Sequence, residues 1–322
     1  MARTGAEWPA ATARWPAWLA GATAMAIMGG SVRVSSTLVH APLFAAQAAR
    51  YAGAAAALLL LARARDRGVA TSIVTPRGRE WLWLCAIGAI GLALFNFALV
   101  RGLLYAQPAA IAVVIAGAPI CLGVLGPLVQ RKAPRGGLLA AGAVVTAGGV
   151  MVVGGGGTSW LGTACALLTL ACEVGFTLLA LPVLPRHGAW GVSFHSAWMA
   201  AAMLAGLGAA TEGFGAVTRL SFADWAATAT MAAMTVVAFL CWYLAVGRLG
   251  AGRAGVLTGV APVAAALTTL ASGGDVPSPL AWAGMGVVAG GLALSIVTAQ
   301  RERLSPEFVR PTWWQKASAR PK

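Results

Sequence analysis

Residues 107–129 read QPAAIAVVIAGAPICLGVLGPLV, 23 positions without one charged side chain, closed by Gln130, Arg131 and Lys132. A helix crosses the hydrocarbon of a bilayer with about 20 mostly apolar residues, so this stretch is long enough to span. Lipid offers backbone groups no hydrogen-bond partner, which restricts spanning segments to helices or closed barrels. The run is continuous rather than alternating, and that selects the helix. Reading outward with the same window gives spans at 17–37, 41–62, 81–102, 107–129, 137–155, 159–182, 190–210, 225–247, 254–272 and 279–299. Six carry a tryptophan at or near their start (Trp18, Trp81, Trp160, Trp190, Trp225 and Trp282), a residue suited to the headgroup level. The fold expected is an all-α polytopic membrane protein with ten transmembrane helices.

Composition agrees. The 322 residues are 59% hydrophobic and 10% charged, against about a quarter charged in a soluble domain. So many apolar residues also exclude a disordered chain. The net charge of +14 would suit a polyanion partner, but the positions of the bases point elsewhere. Nineteen of the 23 fall on one side of the ten-span layout. They are Arg3 and Arg14; Arg63, Arg65, Arg67, Arg77 and Arg79; Arg131, Lys132 and Arg135; Arg186; Arg248 and Arg253; and Arg301, Arg303, Arg310, Lys316, Arg320 and Lys322. Only Arg101 and Arg219 fall opposite, while Arg33 and Arg50 lie within spans. Basic connections stay cytoplasmic, so a multi-pass protein of the cell inner (plasma) membrane with both termini cytoplasmic is expected.

No folded basic surface interleaved with aromatics is present, so nucleic acid is not an expected partner. The tail, with Trp313 and Trp314 among bases, reads equally as an anchor on anionic lipid or as a solvated end. Cys85, Cys121, Cys165, Cys172 and Cys241 lie in apolar runs without CxxC spacing, which speaks against zinc and disulfides. Arg3 and Arg14 before the first span, with small residues after it, give it some features of a cleaved leader. The internal repeat instead needs this segment as a retained helix.

That repeat is legible in three places. Leu103–Pro119 (LLYAQPAAIAVVIAGAP) aligns at an offset of 143 on Val246–Pro262 (VGRLGAGRAGVLTGVAP). GAVVTAGGV from Gly142 matches GMGVVAGGL from Gly284, and WLAGATA from Trp18 matches WLGTACA from Trp160. Order and spacing make these matches a repeat of two five-span halves, 17–155 and 159–299, between an N-terminal segment (1–16) and a basic tail (300–322). Five is odd, so the second half must run through the membrane upside down. Arg131, Lys132 and Arg135 follow the fourth span, whereas the ninth is followed by Asp275, the opposite bias that inversion requires. Inverted repeats characterise secondary transporters, with the site near the midplane between halves.

Several residues carry a family pattern: Gly30–Ser31 in the first span, Pro42 and Arg50 around the second, Asn96 in the third and the passage at Tyr105. Pro119 and Pro262 then sit mid-helix, each followed by a span with a Gly-Gly pair. From Trp18 to about Val297 the chain resembles the EamA-type transporters of the drug/metabolite transporter (DMT) superfamily. It departs from them in having Gly29 where a tryptophan is usual, and in replacing the acid that commonly closes spans four and nine by Arg131-Lys132 and Asp275. The resemblance implies a ten-helix exporter.

Ionisable groups at membrane depth are costly and mark function by default. Arg33 lies close enough to a helix end to snorkel. Arg50 lies deeper and reads as an anchor for neighbouring helices or as a substrate contact. Glu173, mid-span with no basic neighbour in its helix, is the sharper candidate. Isolation in hydrocarbon favours the neutral acid, able to carry a proton or to meet a cationic substrate; a structural ion pair with Arg50 or Arg33 is the other reading. Ser31, Gln47, Asn96, Gln107, His195, Ser196 and Thr258 are further polar candidates, and Tyr105, Trp242 and Tyr243 offer aromatic walls. His195 is either a pH-sensitive group or a bundle hydrogen-bonder. Pro119 and Pro262 are candidate hinges, with fixed bends as the plainer account. Gly286–Gly290 forms a small-xxx-small face for close helix contact or a homodimer. The glycines at 154–157 lack the lysine of a phosphate loop.

The function expected is secondary transport of a small organic metabolite or drug, export by alternating access, with proton coupling through Glu173. An uncoupled facilitator or exchanger is the alternative. A membrane-embedded enzyme is less well served, because three histidines and one deep acid are scattered rather than gathered. No metal or other cofactor is expected.

Overall fold

The computed structural model describes residues 15–38, 40–64 and 73–304. The basic tail beyond residue 304, nearly all of the N-terminal segment, and Arg65 and Arg67 lie outside them. Among the described residues the fold is helical, with one isolated bridge, Ala106–Thr158, and no strand. Nine helical stretches are long and apolar enough to cross a membrane. They are α2 (Leu43–Ala64), α3 (Glu80–Leu103), α4 (Pro108–Val129), α5 (Gly136–Val153), α6 (Trp160–Leu178), α7 (Leu184–Thr211), α8 (Phe222–Leu249), α9 (Ala251–Ala271) and α10, whose apolar part is Pro279–Gln300. The first expected span is also a helix, α1 (Trp15–Ser35, 21 residues), but it is not among the nine. Gly29, Gly30, Ser31 and Arg33 dilute its apolar run.

Local chemistry sets the ends. Ser159 caps α6 by accepting from Gly162 N, and Ser221 with Asp224 forms a reciprocal capping box on α8. Pro108 opens α4 where its missing N–H costs nothing. Helix ends lie within a few residues of the expected ones, except that α7 begins at Leu184 instead of 190. There Gly188, at φ 60°, separates a leading turn from the main helix.

Three helices are irregular at mid-depth. Residues Ile87–Leu94 of α3 form a π-helix. α4 is interrupted between Ile115 and Ala118, and α9 passes through a 3-10 turn, Leu257–Gly259. Pro119 is the second residue of the helical stretch after one break, and Pro262 the third after the other. A proline ring clashes with the carbonyl one turn back and donates no hydrogen bond, so each break falls just ahead of it.

Packing joins distant parts of the chain. α1 lies on α8 and α9, and α6 lies on α3 and α4. α2 packs on α7, α5 on α10, and the second part of α4 on the start of α9. The α5–α10 crossing is a backbone contact. A Cβ added to Gly148 would come within 2.7 Å of Val288 N, and one added to Gly284 within 2.7 Å of Gly148 O. The Gly286–Gly290 face is not the one used, because both glycines have open space beside them and are exposed. Helix periodicity turns Gly284, Val288 and Gly291 inward and leaves 286 and 290 facing out.

Candidate functional site: a cavity between the helices

Consecutive spans alternate in direction, so the connections after α2, α4, α6 and α8 share one end of the bundle, here the basic end. Toward that end the interior is closed by a hydrophobic cluster that includes Trp18, Leu122, Leu184, Val246 and Leu249. Above it lies a cavity of about 670 Å³, within the range typical of small-molecule sites. Its lining reaches the opposite end at Pro108, Val153 and the segment Asp275–Ser278.

Six of the residues singled out from sequence line this space: Arg50, Asn96, Glu173, Trp242, Thr258 and Pro262. Arg50 is buried, with Nε donating to Thr235 Oγ1 at 2.8 Å and Nη1 to Gln47 Oε1 at 3.3 Å. Its guanidinium carbon lies 5.2 Å from the centre of the Tyr51 ring. Asn96 donates from Nδ2 to Leu92 O at 2.7 Å and to the Tyr51 hydroxyl at 3.3 Å. Thr258 donates back to Gly255 O at 2.8 Å, and Trp242 Nε1 donates to Thr177 Oγ1 at 3.2 Å.

Glu173 is different. The cavity reaches it and leaves it half-buried, yet among the described residues its carboxylate has no hydrogen bond and no ion pair. Arg50 is engaged by neutral partners, and Arg33 is exposed at the opposite end. Neither makes the ion pair with Glu173 that one reading anticipates.

The other candidates lie apart from the cavity. Ser31 is buried and donates to Met28 O at 2.7 Å. Gln107 accepts from Gly157 N at 3.3 Å in an exposed connection, and Tyr105 is 40% exposed beside it. Pro119 is buried away from the lining. His195 has both ring nitrogens occupied: Nε2 lies 3.1 Å from Val74 O, and Nδ1 accepts from Trp198 Nε1 at 3.2 Å. A carbonyl only accepts, so this geometry fixes the neutral Nε2–H tautomer.

Sequence reasoning passed over Phe176, Thr177 and Phe239. The first two follow Glu173 by three and four positions and share its helix face, and Phe239 precedes Trp242 by three. Helical spacing around the chosen residues was therefore the signal that could have found them. A second cluster was also passed over. At the basic end Glu80 accepts from Arg186 and from Arg77 N and lies 3.1 Å from His187 Nε2. Arg186 also donates to Thr75 O at 3.3 Å, fastening the approach to α3 onto the start of α7. Only the fold brings 80 and 186 together, so nothing in the linear sequence marks this cluster.

One prediction concerns Arg50. Thr235→Val removes one of its partners while the cation remains, and the loss is expected to be about 1 kcal/mol, the scale of a hydrogen bond between membrane helices. Arg50→Ala removes all its contacts and is expected to lower the melting temperature in detergent further. Equal melting of both variants and the wild type would show that Arg50 does not hold α2 against α8.

The helices and the mostly apolar cavity among them define a polytopic membrane protein with an internal small-molecule-sized site. The chain is 28% identical over 305 residues to an uncharacterized transporter, YetK, of Bacillus subtilis (strain 168), covering 90% of this chain and 89% of the relative. A protein of known crystal structure superposes with a TM-score of 0.75 at 22% identity, covering 90% of this chain and 99% of that one, a likeness of fold. No protein-family model matches the chain.

Proposed function

We propose that the protein is a secondary transporter of a small organic solute, working by alternating access between two inverted five-helix halves with α1 as the tenth span. The observation that carries this is the central cavity, lined by every helix except α7, closed toward the basic end and lined as far as the opposite one. The similarity to a protein named as a transporter agrees with it.

The packing supports the halves. Exchanging each helix for the one five positions away turns the α1–α8 contact into α6–α3, and α1–α9 into α6–α4. The same exchange returns α2–α7, α4–α9 and α5–α10 to themselves. The interruptions of α4 and α9 fall at related positions, as the offset of 143 requires. Broken helices at mid-depth are common where transporters bind solute, because freed backbone groups are tolerated beside a cavity. The basic end is cytoplasmic in this reading, so the cavity faces outward. Export follows the resemblance to EamA-type proteins, and Glu173 supplies the proton-coupling group. A facilitator without coupling is the second reading; it predicts flux indifferent to an uncoupler.

A panel of radiolabelled metabolites and drugs tests the proposal in cells with and without the protein. At least one solute is expected to leave faster when the protein is present. Identical efflux across the panel would count against it.

A further inference from the structure

Resting on the transporter reading, we infer that the cavity selects an organic monocation with an aromatic or apolar body, its charge held at Glu173. The first observation is the state of that carboxylate. It lines a cavity dominated by apolar side chains and has no partner among the described residues. A cation stabilises the ionised form of such a carboxylate; Arg50, the positive group that also lines the cavity, is engaged by Thr235 and Gln47, so the charge that pairs with Glu173 is left for an occupant to bring.

The second observation is the wall around it. Phe176, Phe239 and Trp242 line the same space, with Phe176 and Phe239 ring centres 5.1 Å apart. The one polar hydrogen of Trp242 is spent on Thr177, so this ring offers an occupant its π surface. Aromatic faces attract ammonium groups, and do so more strongly when water is excluded.

The third is the arrangement of the remaining charges. Arg50 is the eighth residue of α2 and Glu173 the fourteenth of α6, both helices counted from the same end. At 1.5 Å per residue they lie at depths of about 10 Å and 20 Å. Arg50 is tied to Thr235 and Gln47 and stacked on Tyr51, so it does not neutralise the deeper carboxylate. Asp275 lines the cavity near its mouth and adds a second negative charge on the way in. A cation meets favourable charge at the mouth and at the floor. An anion meets a carboxylate at both.

Three ligands sharing a benzyl group test this: benzyltrimethylammonium, phenylalanine and phenylacetate, a permanent cation, a zwitterion and an anion. Binding to the purified full chain in detergent is measured by titration calorimetry. The cation is expected to bind at least about tenfold more tightly than the other two, and Glu173→Gln to abolish that preference. Equal or tighter binding of phenylalanine or phenylacetate would overturn the inference, as would undiminished cation binding by Glu173→Gln. The wild-type series decides by itself should the variant not fold. Solute flux in proteoliposomes separates the two claims. Flux of other solutes without cation binding refutes the cation site alone, whereas cation binding without any flux refutes the transporter reading and leaves the site standing.

Discussion

Glu173→Gln abolishes net solute flux while the protein still inserts and folds; this is the first expected result. Glutamine keeps the size and one hydrogen-bonding oxygen, so packing of α6 against α3 and α4 is preserved. It neither exchanges a proton nor offers a negative charge, and those are the two properties that an unpartnered carboxylate brings to this cavity. Removing an acid that has no partner among the described residues leaves none of them unsatisfied, so stability should hold or rise slightly. The expected loss in flux is at least about tenfold, which corresponds to 1.4 kcal/mol. Flux and its pH dependence are measured beside membrane content and melting temperature. Unchanged flux with unchanged pH dependence would remove Glu173 from the mechanism.

Gly29→Leu prevents the fold from forming normally, the second large effect. α1 touches α9 at this point through bare backbone. A Cβ on Gly29 would fall well inside van der Waals contact of the Ala261 carbonyl oxygen and 2.9 Å from Ala265 N. Neither is the end of a flexible side chain, so the helices must separate. Overpacking typically costs about 1–3 kcal/mol, and a clash with backbone belongs at or above that range. The separation also opens the cavity wall, since Gly29, Ala261 and Ala265 all line it. Monodisperse yield in detergent is expected to collapse for Gly29→Leu and to fall less for Gly29→Ala. A Gly29→Leu protein with wild-type yield and melting temperature would show that α1 does not lie on α9 as described.

Gly29 also illustrates what a sequence conceals. In the linear chain it is one of many small residues, and what requires a glycine there is the backbone at Ala261, more than 200 residues away. The helices themselves were legible, because apolar length is a local property. The breaks in α4 and α9 were equally legible through Pro119 and Pro262, whose missing N–H acts on their own turn. The π segment of α3 was not, since Ile87–Leu94 contains no proline and reads as an ordinary apolar helix. Glu173 stood out by charge alone, and its helix neighbours Phe176 and Thr177 follow from spacing. Tyr105 reads from the sequence as an aromatic wall and Gln107 as a polar lining residue, yet they belong to an exposed connection paired with residues 157–159. Telling such an end-of-helix residue from a cavity residue requires knowing which helices surround it.

Alternating access is tested most directly at Ala112, which lines the cavity one turn before the interruption of α4. A single cysteine is introduced there after Cys85, Cys121, Cys165, Cys172 and Cys241 are changed to serine. A membrane-impermeant maleimide is then applied from each face of sealed vesicles. The account predicts labelling from both faces, since the cavity must open in turn to each. Labelling from one face alone, however long the exposure, would contradict it.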